Sequence, residues 1–223
     1  MITDKPDKPD LAFLKAEVLA VAKQMSAAGM APATWGNVSG RHPASGLVAI
    51  TPSGMAYEGL AVDDICVVDR EGNLVEGKWK PSVETPLHCL FYRGRPDVNG
   101  IVHTHSLYAT AFACAGRPIP VIIATLASAA GGQVDVAPYA TAGTDEFASL
   151  ALAALGDRMA VLLANHGVVA IGRTLADAYT VAEVVENAAR ICAVAAGLGQ
   201  PQSLPAAEVA ILREHYLTAY GQK

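Results

Sequence analysis

Two histidines, His103 and His105, stand one residue apart at the end of the apolar run Gly100–His105. In a strand, residues i and i+2 project from the same face, so both imidazoles would be offered together at the strand's end. A third, His166, follows the apolar run Met159–Ala164 and precedes Gly167, which leaves its ring with little steric cover. Imidazole is the commonest nitrogen ligand for zinc, and a catalytic zinc site wants three protein ligands and one open position. His103, His105 and His166 are therefore candidate metal ligands. The alternative for each is a partly buried ring bonded to backbone carbonyls, and a lone His-x-His is a weak signal. The other three of the six histidines, His42, His88 and His215, have no comparable setting and are expected to be surface or hydrogen-bonded rings.

The stretch Lys80–His88 reads KPSVETPLH. Glu84 stands where a Pro-Ser turn gives way to a helix. Its carboxylate suits a helix N-terminus on dipole grounds alone. Beside a metal it would also be a base able to carry a proton to and from carbon. Three small-residue loops, Gly36-Asn37, Ser53-Gly54 and Ser82, offer backbone N–H groups and hydroxyls that suit a phosphate. Taken singly, each is also an ordinary turn.

Regular elements must hold these groups. Apolar residues at helical spacing predict helices over Leu11–Ala28, Pro86–Arg93, Ser106–Ala115, Thr144–Leu155, Thr174–Ala196 and Glu208–Tyr220. Strands are expected over Gly46–Thr51, Ile65–Asp69, Gly100–His105, Met159–Ala164 and Val168–Ile171, with a hairpin at Asn165–Gly167. Short turns between strands imply largely antiparallel neighbours, and the alternation with helices implies cover on both faces. The expected fold is α/β, a three-layer αβα sandwich.

The 223 residues suffice for one domain, expected over 11–223, with 1–10 as a frayed tail. Hydrophobic residues make up 52% and charged residues 17%, which excludes a disordered chain. So low a charged fraction points to surface buried against other subunits. Sixteen basic against 21 acidic residues leave no basic stripe for nucleic acid. The apolar runs are too short for a membrane span, and the polar start MITDKPDKPD lacks the apolar core of a signal peptide. The four cysteines, Cys66, Cys89, Cys114 and Cys192, form no CxxC pair and are expected to be reduced core thiols of a cytoplasmic protein.

The motifs TWGNVSGR, ITPSGM, KPSVETPLH, IVHTHS, APYATAGT and LLANHGVVAIG, in this order, resemble the class II aldolase/adducin family over roughly residues 12–220. The resemblance implies zinc held by His103, His105 and His166, with Glu84 as a further ligand of the resting metal and as the acid/base. Manganese, cobalt or nickel would suit the same donors. It also implies that Gly36, Asn37, Ser53, Gly54 and Ser82 cradle a phosphate, and that Tyr220 is a mobile C-terminal tyrosine closing over the site. The implied reaction is reversible cleavage of a ketose 1-phosphate to dihydroxyacetone phosphate and an aldehyde, through a metal-stabilised enediolate. A metal-dependent decarboxylase of a 3-keto sugar acid, an epimerase or a dehydratase on the same scaffold is the alternative, and a non-catalytic adducin-like scaffold is a third. Epimerase members carry Asp where Glu84 stands, which favours carbon–carbon cleavage. The implied assembly is a cytoplasmic homotetramer with sites between subunits, acting on a sugar phosphate or keto acid.

Two departures stand out. Val83 replaces the second serine of the fuculose-phosphate enzymes, so the phosphate cradle lacks one hydroxyl. Thr125 stands where those enzymes carry a tyrosine ahead of the Gly-Gly turn, so the aldehyde half is expected to be handled differently.

Overall fold

Among residues 11–222, which the computed structural model describes, eight strands form a single sheet. They are β1 (Asn37–Arg41), β2 (Val48–Ile50), β3 (Cys66–Val68), β4 (Leu74–Glu76), β5 (Gly100–Thr104), β6 (Val136–Ala137), β7 (Ala160–Leu163) and β8 (Gly167–Gly172). Their order is β4-β3-β2-β1-β5-β8-β7-β6, and every neighbouring pair is antiparallel except β6 with β7. The expected frayed tail, residues 1–10, lies outside the described residues.

The described residues form seven α-helices: α1 (Ala12–Ala27), α2 (Thr85–Gly94), α3 (Leu107–Cys114), α4 (Ala124–Ala130), α5 (Asp145–Leu155), α6 (Leu175–Leu198) and α7 (Ala206–Thr218). The alternation of β1 separates the two outer layers. Ser39 points its hydroxyl at His88 and Tyr92 of α2, whereas the next residue, Gly40, lies under Leu14 and Val18 of α1. α6 joins α1 and packs on β5 and β8, while α5 joins α2 and packs on β6 and β7. Every residue of β5, β7 and β8 is buried. The three-layer α/β arrangement is therefore present, with a mostly antiparallel sheet.

Helix starts follow the local sequence. Thr144 caps α5 by accepting the Phe147 N–H at 3.2 Å, and Thr174 caps α6 in a reciprocal pair with Asp177. Ser106 holds the N-cap position of α3 without capping it. The carboxylate of Glu186, on α6, accepts the N–H groups of Tyr108 and Ala109 at 2.9 Å each, which ties α3 to α6.

Some elements depart from expectation. β4 was not foreseen, because its three residues are all exposed on the sheet edge and show no alternation. The one-turn helices Tyr57–Gly59 and Val62–Asp64 are too short to display a period. Cys114 is exposed, unlike the buried Cys66, Cys89 and Cys192, because it ends α3 at the surface. No helix among the described residues is long and apolar enough to cross a membrane.

Candidate metal centre

Register places the chemistry at one end of the sheet. Asn37 of β1 pairs with His103 of β5, and Thr104 pairs with Val168 of β8. The tight connection from β7 to β8 turns at Asn165, whose φ of 57° is in the left-handed region that asparagine tolerates, and it carries His166 to the same end. β5 stops at Thr104, so His105 lies just beyond the strand, its N–H donated to the Met30 carbonyl at 2.9 Å.

The three imidazoles converge. His103 Nε2 lies 3.0 Å from His105 Nε2 and 3.2 Å from His166 Nε2, and the candidate ligand atoms all lie within 4.8 Å of one another. His103 donates its Nδ1–H to the Val168 carbonyl at 3.0 Å, which fixes the tautomer and leaves a lone pair on Nε2. Burial pushes His103 down to about 4. It pushes His105 to about 3, with the neighbouring His103 adding to the effect. His166 is lowered by burial and then by His103.

Glu84 closes the group from the start of α2. Its Oε2 lies 3.1 Å from His103 Nε2, and its Oε1 lies 3.3 Å from His166 Nε2. Oε2 accepts the Asn37 side-chain N–H at 2.7 Å, but Oε1 is buried without a hydrogen-bond partner. Three ring nitrogens crowded around the His103 lone pair, beside a buried carboxylate oxygen with no hydrogen-bond partner, form a costly arrangement. A divalent cation relieves it, and three nitrogens with one oxygen are a donor set that zinc accepts. The residues present fit such an ion.

The loops beside this cluster meet through backbone bonds. Ser53 donates its N–H to the Lys80 carbonyl at 2.9 Å, and Ser82 donates to Thr51 at 3.1 Å. Ser53, Gly54 and Ser82 thus lie side by side. With Gly36, Asn37, Glu84, His105 and His166 they line a pocket of about 280 Å³. Gly54, at φ +69°, makes a turn that suits glycine. The candidate phosphate residues and the candidate ligands therefore share one concavity, with buried His103 behind it.

Tyr220 is not in this pocket within its own chain. It follows the end of α7, stacks on Tyr216 and lines a separate cleft with Arg95, Met159 and Arg173. Those residues flank the opposite end of the strands, about 13 Å away along five residues of β5. Thr125 sits exposed in the first turn of α4 and does not line the pocket either.

Three participants carried too little sequence signal. Trp35 is 63% exposed at the pocket, its ring 5.9 Å from that of His105. Tyr57 donates its hydroxyl to the Gly36 carbonyl at 2.5 Å and so holds that loop. His88 is completely buried and bonds Asn37. Its place four residues after Glu84, on one face of a helix, was the available clue.

Residues 16–193 match the family model described as Class II Aldolase and Adducin N-terminal domain. The chain belongs to the class II aldolase and adducin family. A 5-deoxy-D-ribulose 1-phosphate aldolase of Bacillus thuringiensis serovar kurstaki is 40% identical over 207 residues, covering 93% of this chain and 96% of that one. A 5-methylthioribulose-1-phosphate/5-deoxyribulose-1-phosphate aldolase of Rhodospirillum rubrum is 40% identical over 208 residues, covering 93% and 92%. Among solved structures, an L-fuculose 1-phosphate aldolase superposes with a TM-score of 0.89 at 38% identity, covering 92% and 96%. This class II aldolase relative thus has the family's fold over nearly its whole length, together with a three-histidine cluster suited to the metal on which the family's aldolases depend.

Proposed function

We propose that this chain is a zinc-dependent aldolase that reversibly cleaves a 5-deoxypentulose 1-phosphate to dihydroxyacetone phosphate and acetaldehyde. One observation carries the reading: three imidazoles and the Glu84 carboxylate meet at one end of a pocket whose other side is hydroxyls and turn backbone. A divalent ion held by His103, His105 and His166 supplies Lewis-acid polarisation of the substrate's oxygens. Ser53, Gly54, Ser82, Gly36 and Asn37 anchor the phosphate and reduce the entropy cost of orientation. Cleavage sends the electron pair of the C3–C4 bond to C3, where Glu84 delivers a proton; in synthesis Glu84 removes it. As C4 becomes the aldehyde carbonyl its hydroxyl gives up its proton to water, and the Tyr220 hydroxyl of a neighbouring copy in a homotetramer hydrogen-bonds that oxygen.

Support for a deoxygenated aldehyde half comes from the relatives. The two relatives at 40% identity are named for 5-deoxy and 5-methylthio sugar phosphates. We place the chain in the cytoplasm.

The test is a substrate panel. A reductase that consumes dihydroxyacetone phosphate is coupled to cleavage of 5-deoxyribulose 1-phosphate, ribulose 1-phosphate and fuculose 1-phosphate, and carbon dioxide is followed with 3-keto sugar acids. Release of dihydroxyacetone phosphate, fastest from the 5-deoxy sugar, supports the reading. Release of carbon dioxide without it overturns the reading in favour of a decarboxylase.

A further inference from the structure

His88 lies on α2, one turn after Glu84, and has no solvent exposure. Its Nε2 is 2.5 Å from Asn37 Oδ1 and its Nδ1 is 2.6 Å from Ser39 Oγ. Beyond Ser39 stands the buried Tyr92, whose hydroxyl is 2.8 Å from Ser39 Oγ and 3.0 Å from the Ser39 carbonyl. On the other side, Asn37 Nδ2 donates to Glu84 Oε2 at 2.7 Å. An unbroken row of hydrogen bonds thus runs from Tyr92 through Ser39, His88 and Asn37 to Glu84.

The polarity of this row follows from what each group can do. A carboxylate only accepts, so Asn37 must present its NH₂ to Glu84 and its Oδ1 to His88. Oδ1 also only accepts, so His88 carries its proton on Nε2. A neutral imidazole then has an accepting Nδ1, which takes the Ser39 hydroxyl proton. Burial, with His103 nearby, holds His88 at about 3, so the ring is neutral at physiological pH. From Ser39 onward every donor therefore points toward Glu84, while the single Tyr92 hydroxyl proton is shared between Ser39 Oγ and the Ser39 carbonyl. If the His88 N–H were lost, the Asn37 amide could turn over and set its oxygen against the carboxylate.

We infer that His88 is a positioning residue: its Nε2–H fixes the sense of the Asn37 amide, so that the amide N–H stays aimed at the Glu84 carboxylate throughout turnover. The kinetic part of this inference rests on the aldolase reading, whereas the orientation of the ring does not. His88→Gln keeps an N–H donor near the Nε2 position, and His88→Phe fills the space without one.

The experiment pairs two measurements on the full, zinc-loaded chain. Long-range ¹H–¹⁵N spectra of the imidazoles, with His88 assigned by its absence in His88→Gln, are expected to show a protonated Nε2 and a bare Nδ1. Steady-state kinetics with 5-deoxyribulose 1-phosphate are expected to show kcat down about 10–100-fold in His88→Phe, with KM changed less than about 3-fold, and most of kcat recovered in His88→Gln. Zinc content per chain is expected to be unchanged in both. A proton on Nδ1 instead, or a His88→Phe enzyme with undiminished kcat, overturns the inference. If the wild-type chain cleaves no ketose phosphate, the aldolase reading fails by itself, and the ring spectrum still decides how His88 is oriented.

Discussion

Gly36 turns its missing side chain toward the backbone of His103: a Cβ there would lie 2.7 Å from the His103 carbonyl oxygen, at a backbone φ of +93°. The Gly36 loop and the strand that presents His103 are thus in backbone contact, and only glycine satisfies both the φ and the clearance. Gly36→Ala is expected to destabilise the chain by about 1–3 kcal/mol. It should also weaken zinc, since the strain falls on the strand that presents His103. Thermal unfolding together with chelator competition checks this. An alanine variant with unchanged melting temperature and unchanged zinc affinity would show that the contact is slack.

Glu84→Gln is expected to retain the metal and lose roughly 10²–10⁴ of turnover, the range for a displaced acid–base group. Metal analysis and single-turnover kinetics on one preparation separate the two effects. A glutamine variant as fast as the parent would remove Glu84 from proton transfer.

His88 should contribute to the loss of stability in acid. In the unfolded chain its pKa is about 6.5, and in the native chain burial lowers it to about 3. As pH falls below 6.5 the unfolded state takes up a proton that the native state refuses, so stability is full above that pH. It declines steadily through the window down to about 3. Between pH 7 and pH 5 this residue contributes about 2 kcal/mol to the fall. Urea unfolding of His88→Gln at those two pH values should show a fall smaller by that amount. An identical fall in both proteins would mean that the native ring titrates normally.

Tyr220 lies at the far end of the strands from its own pocket, beside Tyr216. If it serves a neighbouring copy, hybrid oligomers of Glu84→Gln and Tyr220→Phe will contain some complete sites. Coexpressed mixtures should then exceed the summed activities of the two separate variants, and light scattering should give a tetramer mass. Strict additivity would exclude a shared site.

Much of the arrangement was legible in the sequence where a side-chain type and a period agreed. The i, i+2 spacing of His103 and His105 matched their convergence, although the strand ends at Thr104 and His105 reaches the cluster from the residue beyond it. Thr144 and Thr174 stood at helix starts as capping residues do. What escaped depended on tertiary contact. Nothing local marks His88 as wholly buried, because its partners Ser39 and Asn37 are 49 and 51 residues away. Glu186 replaces Ser106 as the cap of α3 across 78 residues, which no local pattern displays. β4 has no buried face and hence no alternation to read.

The central claim is that His103, His105, His166 and Glu84 hold one divalent ion on which cleavage depends. Its most direct test is zinc K-edge absorption combined with turnover on the same sample. The account predicts three imidazole nitrogens and at least one oxygen around one zinc per chain, loss of activity on chelation and recovery on adding zinc back. Full activity in the metal-free protein, or a zinc shell with fewer than three imidazoles, would contradict it.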